Sequence, residues 1–174
     1  MRRLLDGVYL AAGLLAGACI VAICLLITAQ IGFNIAARVG GAGWTYTIPS
    51  YADFCGYFLS TASFMALAYT LRAGAHIRVG LVVQRLPDGL RWIAELVALG
   101  LATAFACYGT VFAARLLEES WRYGDKSTGI VAIPIWMPQS FMVLGLGLLT
   151  VAFLDTLIES LRARAPILTD AGAE

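Results

Sequence analysis

The stretch GVYLAAGLLAGACIVAICLLITAQIGFNIAA, from Gly7 to Ala37, contains no Asp, Glu, Lys, Arg or His, and its reading decides the fold. A helix that crosses a bilayer needs roughly 20 apolar residues at about 1.5 Å each, and this stretch exceeds that length. The nearest competing reading is an export leader, because Arg2 and Arg3 precede the stretch and Ala16-Gly17-Ala18-Cys19 looks like a lipoprotein cleavage box. The apolar core of a leader is only about 7 to 15 residues long. Here it continues well past Cys19, so the helix is expected to remain and anchor the chain.

Three further runs repeat the pattern: Phe54 to Leu71, Leu96 to Ala114 and Ser127 to Leu154 are also free of Asp, Glu, Lys, Arg and His. Each reaches spanning length once its uncharged flanks are counted. The chain is 60% hydrophobic and 13% charged, against about 25% charged in ordinary globular domains, too little charge to coat a soluble core. The expected fold is therefore all-α and integral to the membrane. Residues 1–164 form one four-helix transmembrane domain with spans at about 8–35, 53–71, 92–114 and 130–155, and residues 165–174 form a disordered cytoplasmic tail. A net charge of +1 argues against nucleic acid as a partner.

Orientation follows from the arginines, which are enriched in cytoplasmic loops. Arg2, Arg3, Arg72, Arg78, Arg85, Arg91, Arg162 and Arg164 fall at the N-terminus, after span two and at the C-terminus. The opposite loops hold Arg38, Arg115, Arg122 and Lys126, the last three mixed with Glu118, Glu119 and Asp125. Both termini are thus expected inside. Trp44, Trp92, Trp121 and Trp136 each fall near a span end, the depth at which an amphipathic ring meets the headgroups.

Between spans two and three, Val79, Val82, Val83 and Leu86 follow an i, i+3, i+4, i+7 spacing flanked by Arg78 and Arg85. Such a segment reads as a short helix in the cytoplasmic interface, with its arginines on lipid phosphates. It reads equally as a basic loop that only sets topology, since Ile77 and Leu81 break the stripe.

The sequence offers little to catalysis or cofactor binding. Cys19, Cys24, Cys55 and Cys107 are scattered without a C-x-x-C pair, so no metal site is expected. With His76 the one histidine, two axial imidazoles for a haem cannot come from a single chain. No cofactor, catalytic residue or substrate-binding residue is expected. Gln30 and Asn34, one turn apart in span one, and Ser60, Thr61 and Ser63 in span two need polar partners within protein. Gly13 and Gly17 form a G-x-x-x-G step, a weak signal in Gly-rich spans, and Gly145 and Gly147 a weaker one. The acids gather at span ends: Asp53 opens span two, Glu95 lies one turn inside span three, and Asp155 and Glu159 close span four. A coupling-ion site would want carboxylates near mid-membrane on broken helices, and the one break, at Pro134 and Pro138, lies near the outer start of span four.

From Asp53 to Pro87 the chain carries an acid opening span two, Arg72-Ala-Gly-Ala-His76-Ile-Arg78-Val79 at the inner end of that span, and Arg85-Leu-Pro87 beyond it. Together with Ser127-Thr-Gly-Ile-Val-Ala-Ile133-Pro134-Ile-Trp136 this resembles the small membrane subunit, of DctQ type, of tripartite ATP-independent periplasmic (TRAP) transporters. The resemblance covers nearly the whole chain; it departs at Gly80, where many relatives have Asp. It implies a large permease subunit that moves an organic acid with an ion gradient, a periplasmic binding protein that delivers the solute transiently, and a bacterial inner-membrane location. The small subunit would then scaffold the permease.

On that reading His76 and Arg78 are expected to fix the turn into the interfacial segment through carbonyls or phosphates, with a solvated pair as the alternative. Pro134 and Trp136 are expected to shape and anchor the outer end of span four, with direct contact to the binding protein as the alternative. Asp53, Arg85, Gln30 and Asn34 complete the residues expected to face subunits or lipid. Two other classes compete. A stand-alone four-helix exporter working as a homo-oligomer would want a membrane-embedded acid in its first span, and the membrane anchor of a redox enzyme would want cofactor ligands.

Overall fold

The computed structural model describes residues 2–40, 46–73 and 88–163. Four long helices account for nearly all of them: α1 (Arg2–Gly40), α2 (Tyr51–Arg72), α3 (Asp88–Tyr123) and α4 (Trp136–Ala163). All four are long and apolar enough to cross a membrane, with mean hydropathies from 1.3 for α2 to 2.8 for α1. The protein is therefore an all-α, multi-pass membrane protein. Helix is the forced solution in hydrocarbon, where each backbone N–H and C=O must be satisfied within its own segment.

The helices pack side by side in the spatial order α1, α2, α4, α3. The central pair is drawn together by small residues. Ala68 and Ala152 are fully buried, and a Cβ at Gly145 would fall on the backbone carbonyl of Phe64. That glycine, a weak signal in the sequence, marks a close approach of α2 and α4. α1 lays Tyr9, Ala12, Ala16 and Cys19 against Ala62, Met65 and Ala68 of α2. Of the Gly13 and Gly17 step, only Gly13 is used, under the Tyr69 ring; Gly17 faces open space.

The helices alternate in direction, so the start of α1, the end of α2, the start of α3 and the end of α4 share one end. Contacts there confirm this: Asp6 meets Arg72, Arg72 meets Asp155 and Glu159, and the Trp92 indole donates to the Ser160 carbonyl at 3.3 Å.

Span four was expected from about residue 130, yet α4 begins at Trp136. Residues 125–135 instead form a bridged loop: Lys126 pairs with Pro134, Ser127 N–H donates to the Ile133 carbonyl at 2.8 Å, and Ile135 N–H to that of Asp125 at 3.0 Å. Pro134 disfavours helical backbone in the residue before it, which holds the helix back despite the apolar sequence. Pro138 falls in the first turn of α4, where its missing N–H is of no consequence.

Candidate functional site

The ion pairs of the bundle among the described residues lie at one end, and a polar clamp lies at the other. At one end, where α1 begins and α2 closes, the Arg72 guanidinium is shared by three carboxylates from two other helices: Asp155 at 3.3 Å, Glu159 at 3.6 Å and Asp6 at 3.6 Å. All three distances exceed those of charge-assisted hydrogen bonds, about 2.7–2.9 Å. The pairing with Asp155 is ionic, and Oδ2 of that residue, though buried, accepts no hydrogen bond. One cation thus holds α1, α2 and α4 together where they leave the membrane. Beneath it Tyr9 is 2% exposed and its hydroxyl is likewise unpartnered.

At the other end the segment before α2 is clamped on both sides. Gln30 is 4% exposed; its Oε1 accepts from Ile48 N–H at 2.9 Å and its Nε2 donates to Asn34 Oδ1 at 3.2 Å. Ser50, at φ 56°, caps α2 from left-handed backbone, a conformation uncommon outside glycine and asparagine. Its hydroxyl accepts from Val131 N–H at 3.0 Å. Gly129 lies so close to the Asp53 carboxylate that a Cβ there would overlap it. The loop between α3 and α4 is thereby docked on the start of α2, near the positive end of its dipole.

Trp136 opens α4 and packs edge-on against Trp121 of α3, centroids 4.6 Å apart. In the membrane interior, Thr110 of α3 and Thr150 of α4 approach to 3.1 Å. Each hydroxyl also lies within bonding distance of its own i−4 carbonyl, Ala106 and Leu146, so two protons serve three contacts. Among the described residues no group of three or more His, Cys, Asp or Glu could hold a metal.

Of the residues singled out from sequence, the structure joins Gln30 with Asn34, sets Asp53 under the Gly129 loop, puts Pro134 in the bridge and places Trp136 on Trp121. His76, Arg78, Arg85, Trp44, the Val79–Leu86 stripe and the tail lie outside the described residues. Sequence reading missed Ser50 and Gly129, which no spacing marks. Arg72 entered that reading as a topology signal and as part of the resembling motif, and Asp155 and Glu159 as partners for loop arginines; the share taken by Asp6 of α1 was not foreseen.

Residues 44–163 match the model of the family described as tripartite ATP-independent periplasmic transporters, DctQ component. No curated protein matches the chain.

Proposed function

Because the chain belongs to the DctQ family, the small membrane component of TRAP transporters, we propose that it scaffolds the large permease subunit during ion-coupled uptake of an organic acid. This is a family of transporter components and not of enzymes, and its members work with a large permease and a binding protein. The end that carries Arg72 is taken as cytoplasmic, in a bacterial inner membrane, on the bias of arginines to that side.

One observation carries the scaffold reading. The two outer helices of the row both expose large apolar side chains, and α1 has in addition a flank of small ones. Along α3, Ile93, Val97, Leu101, Phe105, Tyr108 and Phe112 stand out, each at least 48% exposed. α1 also exposes Leu10, Leu14, Val21, Leu25 and Ile35 on the side away from α2, and one flank beside that face is mostly small: Ala11, Ala18, Ala22, Ala29, Gly32 and Ala36. Membrane helix interfaces favour small residues because they let backbones approach, whereas lipid does not discriminate. The small flank of α1 thus suits another helix, while the bulky exposed faces suit acyl chains. The ionisable groups of the described spans lie toward their ends, which leaves solute and ion chemistry to the permease.

Affinity purification in mild detergent from cells that express both membrane subunits tests this reading. Recovery of the permease supports it, whereas a homo-oligomer of this chain alone, with the permease left behind, overturns it.

A further inference from the structure

One face of α3 carries an exposed stripe that runs from within the membrane out past its edge. Leu101, Phe105, Tyr108 and Phe112 recur at steps of four and three, each at least 48% exposed, and Arg115, Glu119 and Arg122 continue the same spacing, all exposed. Residues so spaced share one side of a helix, here the side opposite the buried Leu99, Ala106 and Ala113. The charge-free run 96–114 is about 28 Å long at about 1.5 Å per residue, close to the roughly 30 Å of bilayer hydrocarbon. Arg115 thus stands where hydrocarbon gives way to headgroups, and Glu118 and Glu119 stand about one turn farther out.

An aromatic stack holds Arg115 in place. Tyr108 leans on Phe112 with centroids 4.4 Å apart, and the Arg115 guanidinium lies over the Phe112 ring, 5.5 Å from its centroid, a cation–π contact. Helical side chains tilt toward the N-terminus, which in α3 turns this cation back toward the bilayer. Among the described residues none of Arg115, Glu118, Glu119 and Arg122 stands in an ion pair. Arginine before glutamate is in any case the weaker order for a pair along a helix. Cation and carboxylates are therefore open to a partner.

From the membrane outward the stripe offers an apolar bed, a cation and then two carboxylates. A phospholipid with an ethanolamine head presents the complement in the same order: acyl chain, phosphate, ammonium. An anionic head without an ammonium would leave Glu118 and Glu119 facing negative charge, and a quaternary ammonium has no N–H to donate to them. A helix of another protein would meet bulky side chains where close approach favours small ones. A soluble protein does not reach residues 101–112 inside the hydrocarbon.

We propose that this face of α3 is a binding site for phosphatidylethanolamine, with the phosphate on Arg115, the ammonium on Glu118 and Glu119, and one acyl chain along Phe112, Tyr108 and Phe105. The site does not depend on the scaffold reading. The test places the full chain in phosphatidylcholine liposomes with a trace of phospholipid that carries a photoreactive acyl chain and an ethanolamine, glycerol or choline head, and maps the label by peptide mass. The ethanolamine lipid is expected to label residues 101–112 about fivefold more than either other lipid, the size of one good surface ion pair. Arg115→Gln is expected to remove most of that excess, and Glu118→Gln with Glu119→Gln to lower the ethanolamine lipid to the level of the choline lipid. Equal labelling by the three heads would mean an unselective lipid annulus and overturn the proposal. So would a preference for the glycerol head, labelling concentrated outside residues 101–112, or a preference that survives either set of substitutions. Should a variant fail to insert, the comparison of the three heads on the unaltered chain decides.

Discussion

The Arg72 guanidinium stands 3.3 Å from the Asp155 carboxylate and fastens the end of α2 to the end of α4. Both side chains are only about a quarter exposed, at 24% and 27%. Arg72→Ala takes the cation from beside Asp155, whose Oδ2 is buried and accepts no hydrogen bond. The expected loss is about 1–3 kcal/mol, between the values for exposed and buried pairs, read as a lower unfolding temperature in detergent. Asp6→Asn, at the most exposed of the three acids, is expected to change it little. Equal effects from the two variants would show that Arg72 is not the shared centre.

Gly129 has no room for a methyl group beside Asp53. Gly129→Ala is expected to lift the loop, break the bond from Val131 to Ser50 and raise hydrogen exchange across residues 125–135, at about 1–3 kcal/mol for an overpacked contact. Pairing it with Asp53→Ala should recover part of the loss. Additive losses would refute the contact.

Gln30→Leu keeps the volume but removes the acceptor of the Ile48 N–H. A part-buried donor left unmade costs about 1–3 kcal/mol, and the Ile48 amide should exchange faster. Asn34→Ala, at an exposed position, should cost less than half as much. Thermal unfolding of the two variants ranks them, and the reverse order counts against the clamp.

Gly145 and Gly17 make a matched pair in two helices. Alanine at 145 meets the Phe64 backbone and should destabilise by about 1–3 kcal/mol. Alanine at 17 meets nothing within 4 Å and should be neutral, or stabilise by up to about 1 kcal/mol through helix propensity.

On the scaffold reading, leucine at both Ala18 and Gly32 fills the α1 face. A loss of about 1.4 kcal/mol in helix packing corresponds to about tenfold less permease bound at equilibrium, with helix content by circular dichroism unchanged. Phe105→Leu on α3 should leave recovery as it was. Equal recovery in all three preparations would remove α1 as the docking side.

Four helices were legible in the sequence because hydrocarbon imposes a length and excludes charge, and both constraints are local. The need of Gln30 and Asn34 for partners was legible too, but the Ile48 amide was not, since any exposed donor near that end would have served. Packing order and close approach depend on which faces meet. Gly145 therefore looked no different from Gly147, and Gly129 looked like any loop glycine. The start of α4 was misplaced because hydropathy ignores the hydrogen bonds that hold residues 125–135 in a loop.

The spatial row α1, α2, α4, α3 has a consequence for biogenesis. α3 packs on α4 and barely touches the other two helices, yet it leaves the ribosome before α4. Until the last helix is inserted between α2 and α3, the third waits in lipid without a neighbour in its own chain. A product truncated before Trp136 carries three membrane helices but only one helix pair, so completion of synthesis and closure of the bundle coincide.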